Sequence, residues 1–280
     1  MRARLLSGIA AGALGLAALT TAALPASAAS PAQLSVFHGV PGVTVDVYVN
    51  GKLTLDNFAP GMMAGPLPLD AGDYTLAVTA SDAADASAPI IGPATVTLAA
   101  GKNYTAVANL DAAGTPALNL FTNDISPTAA GQGRLTVRHV AAAPAVDILA
   151  GGTAVISGLT NPNEQVLNLP AGTVSASVTA AGTTTPALLG PADVPVTEGT
   201  NTIVYAWGSA TASPSTLALA TQTITGLQSN PSGVNAGEVG LVADNGTSGT
   251  PWILALGGLA VLGTVGLGLA ARRRTAAVQR

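Results

Sequence analysis

Two histidines and two aspartates occupy matching positions of a repeated segment, and they are the side chains best suited to acid–base or ligand chemistry. His38 and His139 are the only histidines, while Asp46 and Asp147 each precede a turn. Zinc usually takes three or four protein ligands, and calcium loops need several oxygen ligands at close spacing. One histidine and one such aspartate per copy meet neither requirement. We therefore predict no catalytic residue, no metal site and no cofactor.

Structural roles are the expected ones for these side chains. The strand period places His38 on the face of Leu34 and Val36, where a half-buried imidazole would bond a carbonyl of the following turn. Asp46 faces away from the neighbouring valines, and an aspartate beside a turn typically accepts hydrogen bonds from nearby backbone N–H groups. The sequence has no Gly-x-Ser-x-Gly segment, so the usual signature of a serine hydrolase is missing.

Aromatic side chains supply the remaining candidates for binding. Tyr48 shares the polar face of its strand with Asp46, and these two residues form the candidate binding site, for a sugar or a protein surface. Tyr205 and Trp207 lie with Ile203 on one face, which is more typical of a core. Further members of an exposed aromatic patch would be Phe58, Tyr74 and Tyr104.

A segment that occurs twice must position all of these residues. Gln33–Val49 reads QLSVFHGVPGVTVDVYV, and Arg134–Ala150 reads RLTVRHVAAAPAVDILA, 101 residues later. The later matches are Leu67–Ala80 with Leu167–Ala180, Ile91–Ala108 with Leu189–Ala206, and Leu118 and Leu120 with Leu217 and Leu219. Each copy spans about 90 residues, which is long for a solenoid unit. We predict two domains, residues 29–126 and 133–224.

The apolar residues of each copy follow a period of two, which is typical of half-buried strands. Val43, Val45, Val47 and Val49 alternate with polar residues, and Asn50-Gly51 then predicts a tight hairpin turn. Seven or eight such runs per copy predict an all-β fold, with two tandem antiparallel immunoglobulin-like β-sandwich domains. A jelly-roll or a small barrel is the alternative.

The two ends of the chain predict export and anchoring. Residues 1–28 combine Arg2 and Arg4 with an apolar run and Ala26-Ser27-Ala28, the layout of a signal peptide. Residues 225–250 read as a flexible stalk, and residues 251–271, which include Trp252, as a membrane-spanning helix. A basic tail of residues 272–280 follows, beginning Arg272, Arg273 and Arg274. By the positive-inside rule, the domains would lie outside a cell membrane crossed once.

Charge and cysteine content exclude several classes of partner. Of the ten basic residues, two precede residue 28 and four follow residue 271, so four remain against all 14 acidic residues. Nucleic acid requires clustered lysine and arginine, so we expect no nucleic-acid partner. The chain has no cysteine, and its domains must be held by packing and hydrogen bonds alone.

The motifs LSVFHGVPGVTVDVYVNG (residues 34–51), LDAGDYTLAV (69–78) and RLTVRHV with VDIL in the second copy resemble the DUF4397 family of exported bacterial proteins. The resemblance covers about residues 33–224 and implies a β-sandwich on a bacterial surface, with no established activity. The second copy departs from it at Ala141–Ala143 and Gly151-Gly152. We expect a non-enzymatic, membrane-anchored surface protein acting in adhesion, envelope organisation or interaction with another surface protein. The alternative is a module that binds cell-wall carbohydrate or peptidoglycan.

Overall fold

Each copy of the repeat folds into eight β-strands. A computed structural model of the chain describes residues 29–229, and within that range it contains no helix. The strands of the first domain are β1 Ala32–Gly39, β2 Val45–Val49, β3 Lys52–Phe58, β4 Met63–Leu69, β5 Gly72–Ala80, β6 Ile91–Leu98, β7 Asn103–Leu110 and β8 Pro116–Asn123. Those of the second domain are β9 Gln132–Ala142, β10 Val146–Ala150, β11 Thr153–Leu159, β12 Glu164–Pro170, β13 Gly172–Ala180, β14 Ala187–Val196, β15 Asn201–Ser209 and β16 Ala218–Ile224. The expectation of an all-β chain is confirmed for the described residues.

Two four-stranded sheets form each domain. Their strand orders are β4-β1-β7-β8 and β3-β2-β5-β6 in the first domain, and β12-β9-β15-β16 and β11-β10-β13-β14 in the second. The expectation of purely antiparallel sheets is wrong at one pair in each domain, because β1 runs parallel to β7 and β9 parallel to β15. Parallel neighbours need a long crossover connection, and strands β2 to β6 provide it in the first domain.

The core of the first domain follows the predicted alternation along β2. Val45 and Val47 are buried in one apolar cluster of the domain, and Val49 packs against a second cluster that contains Leu76. Val43 is 39 % exposed and lies before the strand begins, so the alternation is shorter than its sequence pattern. Asn50 and Gly51 have φ values of 51° and 75°, the left-handed pair that a tight hairpin turn requires.

The two domains stack through one sheet each. The rings of Phe37 in β1 and Phe121 in β8 share an apolar cluster with Val140 in β9 and Tyr205 in β15. Strands β1, β7, β9 and β15 are therefore covered on both faces, which explains their nearly continuous burial. Each domain has an apolar core between its two sheets, and the layer between the domains combines this apolar cluster with buried polar side chains.

Register in the last strand of each domain differs from the sequence alignment. Leu118 pairs with Ala108 in β7, and Leu219 pairs with the matching Ala206 in β15. Leu118 is thus equivalent to Leu219 rather than to Leu217, which precedes β16. The sequence alignment is wrong here by two residues, because leucines two positions apart in a strand lie on the same face and fit the pattern equally well.

The folded part continues past residue 224, where the stalk was expected to begin. Leu227 is buried, its amide donates to the Gly199 carbonyl, and its own carbonyl accepts from the Thr128 amide. No helix within residues 29–229 is long and apolar enough to cross a membrane. The predicted signal peptide, most of the predicted stalk, and the anchor with Trp252, Arg272, Arg273 and Arg274 lie outside the described residues.

Candidate functional site

Both histidines are buried, and each bonds the turn that follows its strand. Nε2 of His38 donates to the carbonyl of Val43 at 2.8 Å, and Nε2 of His139 donates to that of Pro144 at 3.0 Å. The His38 ring also stacks on Phe58, with centroids 5.9 Å apart. The predicted bond to a turn carbonyl is confirmed in both copies, but the rings are fully buried rather than half-buried.

Burial favours the neutral form of both imidazoles. It lowers the pKa of His38 and of His139 below the ordinary value of 6.5, and the hydrogen bond to the turn carbonyl offsets this only in part. Nδ1 of His38 has no hydrogen-bond partner among the described residues, and Nδ1 of His139 accepts a long bond of 3.4 Å from the Ala141 amide. Within residues 29–229 no carboxylate bonds to either ring, so neither has from that part of the chain the orienting partner of a catalytic histidine.

The two matching aspartates hold an irregular residue in the neighbouring strand. Asp46 accepts from the amide of Asn57 at 2.8 Å, and Asp147 accepts from that of Gly158 at 2.7 Å. Asn57 and Gly158 both have positive φ, 51° and 65°, and lie where the β2–β3 and β10–β11 registers shift. Each carboxylate thus satisfies an amide that the bulge removes from the ladder.

The second aspartate has an additional partner. The other oxygen of Asp147 accepts from the amide of Gly182 at 2.8 Å, in the turn after β13. Both aspartates are buried, with exposures of 3 % for Asp46 and 6 % for Asp147. Among the described residues, no group of three or more histidine, aspartate or glutamate side chains could hold a metal ion.

The expected exposed aromatic patch is wrong. Tyr48 is only 6 % exposed, so its ring offers little surface on which a sugar could stack. Phe58, Tyr104 and Tyr205 are also buried, and Tyr74 is partly covered and donates to the Asp70 carbonyl at 2.9 Å. The expectation that the polar face of β2 meets solvent is wrong, because Asp46 and Tyr48 are both buried. A binding role for Asp46 and Tyr48 stays a prediction.

A buried arginine lies at the centre of the face between the domains. Arg138 is fully buried, and its three nitrogens donate to Glu164 at 2.7 Å, Tyr205 at 2.8 Å and Asn123 at 2.8 Å. Its guanidinium also lies 4.3 Å from the centre of the Phe121 ring, a distance suited to cation–π attraction. Asn123 and Phe121 belong to the first domain, so this one side chain joins both domains.

The same strand supplies a second arginine to the boundary. Arg134 donates to the carbonyls of Asp124 and Ser126, at 3.1 and 3.0 Å, and pairs with the Asp124 carboxylate at 3.2 Å. Burial by itself would raise the pKa of Asp124, but hydrogen bonds from Ser126 and the charge of Arg134 lower it below the ordinary value. Both arginines of the described residues are therefore engaged within the molecule.

The second domain contains an apolar cavity between its two sheets. Its volume is about 310 Å³, and all 16 lining residues are leucine, valine, isoleucine or alanine. Val155, at its rim, is 47 % exposed, and Ala176 is partly exposed.

A pair of substitutions between the two copies enlarges the cavity. Val49 and Leu76 are directly paired across β2 and β5 in the first domain, and both pack into its core. The equivalent pair in the second domain is Ala150 and Ala176, and both residues line the cavity. Five side-chain carbons are absent at this one cross-strand position. The sequence interpretation missed the site, although the aligned repeats contained this signal.

The fold defines a class: tandem eight-stranded β domains of sandwich-like form, packed sheet against sheet. The family described as "Domain of unknown function (DUF4397)" matches residues 32–149 and residues 140–234. The chain belongs to this family, and the resemblance inferred from the sequence motifs is confirmed. A search of curated proteins finds no match for the chain.

Proposed function

We propose that the chain is a non-enzymatic cell-surface protein, anchored in the membrane by its C-terminal segment, whose two domains act as one rigid unit. Its role would lie in adhesion, envelope organisation or interaction with another surface protein. The observation that supports this most is the buried face between the domains, built around Arg138 and the Phe37–Tyr205 contact. Such a face fixes the angle between the domains, which is useful for presenting loops and strand edges at a constant geometry.

The side chains best suited to acid–base or ligand chemistry support the same proposal. His38 and His139 bond turn carbonyls, Asp46 and Asp147 bond strand amides, and Arg138 bridges the domains. These groups stabilise the fold and leave no nucleophile–base pair among the described residues. The eight strands in two sheets per domain also support the proposal that each domain is immunoglobulin-like. The parallel pair of β1 and β7 is then a departure from a purely antiparallel arrangement.

Surface location is tested first, on intact cells that make the full chain. A membrane-impermeant amine reagent should label Lys52 and Lys102, which are both exposed, and carbonate washing should leave the protein with the membrane. A cell that lacks the protein should then lose adhesion or envelope integrity, and the wild-type chain should restore it. Labelling that appears only after lysis would contradict the proposed location.

Sedimentation distinguishes the alternative, binding to cell-wall polymer, from the proposed interaction with a protein partner. The full chain in lipid nanodiscs is mixed with sacculi stripped of protein. Pelleting that soluble wall fragments abolish would support the polymer-binding alternative, and a Tyr48→Ala variant would show whether that residue takes part. A clear supernatant, together with crosslinks to another protein on intact cells, would support the proposal of a protein partner.

A further inference from the structure

We propose that the cavity of the second domain binds the single linear alkyl or acyl chain of an uncharged amphiphile. The proposal rests on the chemistry of the lining, on the dimensions of the cavity, on the absence of a free cation near it and on the comparison between the two domains. It goes beyond surface display, because it assigns a ligand to one domain only. It also stands or falls independently of adhesion or wall binding.

The lining excludes polar ligands. All 16 lining residues are aliphatic, so no side chain in the cavity could replace the hydrogen bonds that a sugar or peptide group loses on leaving water. Apolar cavities of about 150 Å³ stay dry and accept apolar molecules. A cavity of about 310 Å³ with this lining is therefore suited to a hydrocarbon ligand.

The dimensions favour a linear chain over a compact ring system. The lining runs along β13 from Val174 to Val178, and four steps of about 3.3 Å give a length of about 13 Å. The two sheets of a sandwich lie about 10 Å apart, backbone to backbone, which leaves a narrow slot between their side chains. At about 30 Å³ for each methylene-sized group, the volume holds about ten such groups.

The charge around the cavity favours an uncharged head group. The only basic residues of the second domain within the described range are Arg134 and Arg138, and both are buried at the face between the domains. A fatty-acid carboxylate at the rim would meet no cation. An alcohol, ester or amide head group can remain in water beside the exposed Val155 without that cost.

The first domain provides a comparison within the same chain. Leu76 is 2 % exposed and occupies the position of Ala176, so the equivalent space is filled by protein. Apart from this difference, the two domains share strand order and register. The alkyl chain should therefore bind in the second domain and not in the first, although the two domains share the same arrangement of strands.

Photolabelling with a decanol that has a diazirine at its terminal carbon tests the proposal. The full chain in lipid nanodiscs is irradiated with this probe, digested and mapped by mass spectrometry. Labels should lie on the peptides of β10 to β13 at least tenfold above those of β2 to β5. The matching decanoic acid probe should label the same peptides several-fold less. Excess unlabelled decanol should abolish the signal.

The decisive variants exchange the residue types of the paired positions, Val49 and Leu76 in the first domain and Ala150 and Ala176 in the second. The double change Ala150→Val with Ala176→Leu should reduce labelling of the second domain at least tenfold, and the reciprocal Val49→Ala with Leu76→Ala should create labelling in the first domain. Circular dichroism checks that each variant is folded. Equal labelling of both wild-type domains, or labelling of the wild type that excess decanol does not reduce, would overturn the proposal whether or not the variants fold.

Discussion

The ring of Phe37 lies 4.7 Å, centroid to centroid, from the ring of Tyr205, and the two residues belong to different domains. Trp207 adds an edge-on contact to Phe37 at 6.0 Å. Around this aromatic contact the domains also share the hydrogen bonds of Arg138 and of Thr105, which donates to Gln222 at 3.0 Å. Each domain therefore completes the packing of the other, and we expect them to unfold together.

Removal of the Phe37 ring should destabilise the whole unit. Phe37→Ala leaves a cavity at the face between the domains and should lower the free energy of unfolding by about 3–5 kcal/mol. Urea denaturation followed by circular dichroism and by tryptophan fluorescence checks this, and both signals should shift to the same lower midpoint. Val43→Ala, at a position 39 % exposed, is the control and should change stability by less than about 0.5 kcal/mol. Two separate transitions in the wild type would contradict the coupling.

Loss of Arg138 should be costly because Tyr205 and Asn123 would remain buried without its donors, whereas the partly exposed Glu164 carboxylate would be solvated. Arg138→Ala breaks the bonds to Glu164, Tyr205 and Asn123, and a buried group left without its hydrogen-bond donor typically costs about 1–3 kcal/mol. Thermal unfolding of the purified variant checks this expectation. Lys52→Ala, which removes an exposed lysine, should leave the midpoint nearly unchanged. A midpoint for Arg138→Ala close to wild type would show that water replaces the lost donors.

Stability should decline as the pH falls below about 6.5. Burial lowers the folded-state pKa of His38 and His139, so below 6.5 the unfolded chain binds protons that the folded chain does not. Each histidine can contribute a slope of up to about 1.4 kcal/mol per pH unit, until the folded-state pKa is reached. Urea denaturation between pH 7.5 and 5 measures this decline, since the paired carboxylate of Asp124 titrates only at lower pH.

The double variant His38→Gln with His139→Gln tests whether the two histidines cause this dependence of stability on pH. Glutamine keeps an N–H donor for the turn carbonyl but does not titrate. The free energy of unfolding of the variant should therefore change less with pH over the same range. An unchanged slope in the variant would assign the pH dependence to other groups.

The two matching aspartates should respond unequally to the same substitution. Asparagine retains one oxygen acceptor, so Asp46→Asn can keep the bond to Asn57 and should lose little stability. Asp147→Asn cannot accept from both Gly158 and Gly182 and should lose about 1–2 kcal/mol. Chemical denaturation of the two variants under identical conditions compares them. Equal losses would show that the second bond contributes nothing measurable.

Local features of the fold were predictable from the sequence because local rules determine them. The turn at Asn50 and Gly51 follows from their tolerance of positive φ, and the burial of Val45 and Val47 follows from the strand period. The bond from His38 to a turn carbonyl was likewise expected, since a core imidazole needs an acceptor nearby. The two copies could be aligned because their core positions retain the same types of residue.

The face between the domains was not predicted, because its residues look like a solvent face. Arg134, Thr136 and Arg138 alternate with core residues along β9, and such polar alternation normally faces water. Phe37, placed between Val36 and His38, was the missed signal, since apolar residues on both faces indicate a strand covered on both sides. The alanines at 150 and 176 were visible in the aligned repeats, but that they are paired across two strands is known only from the register.

Burial of both arginines at the domain boundary has a consequence for proteolysis. Within residues 29–229, a protease that cleaves after lysine or arginine meets only two exposed targets, Lys52 and Lys102, and both belong to the first domain. The second domain offers such an enzyme no accessible bond while it remains folded. Cleavage after Arg134 or Arg138 therefore requires β9 to open, so its rate reports how often this boundary strand becomes accessible.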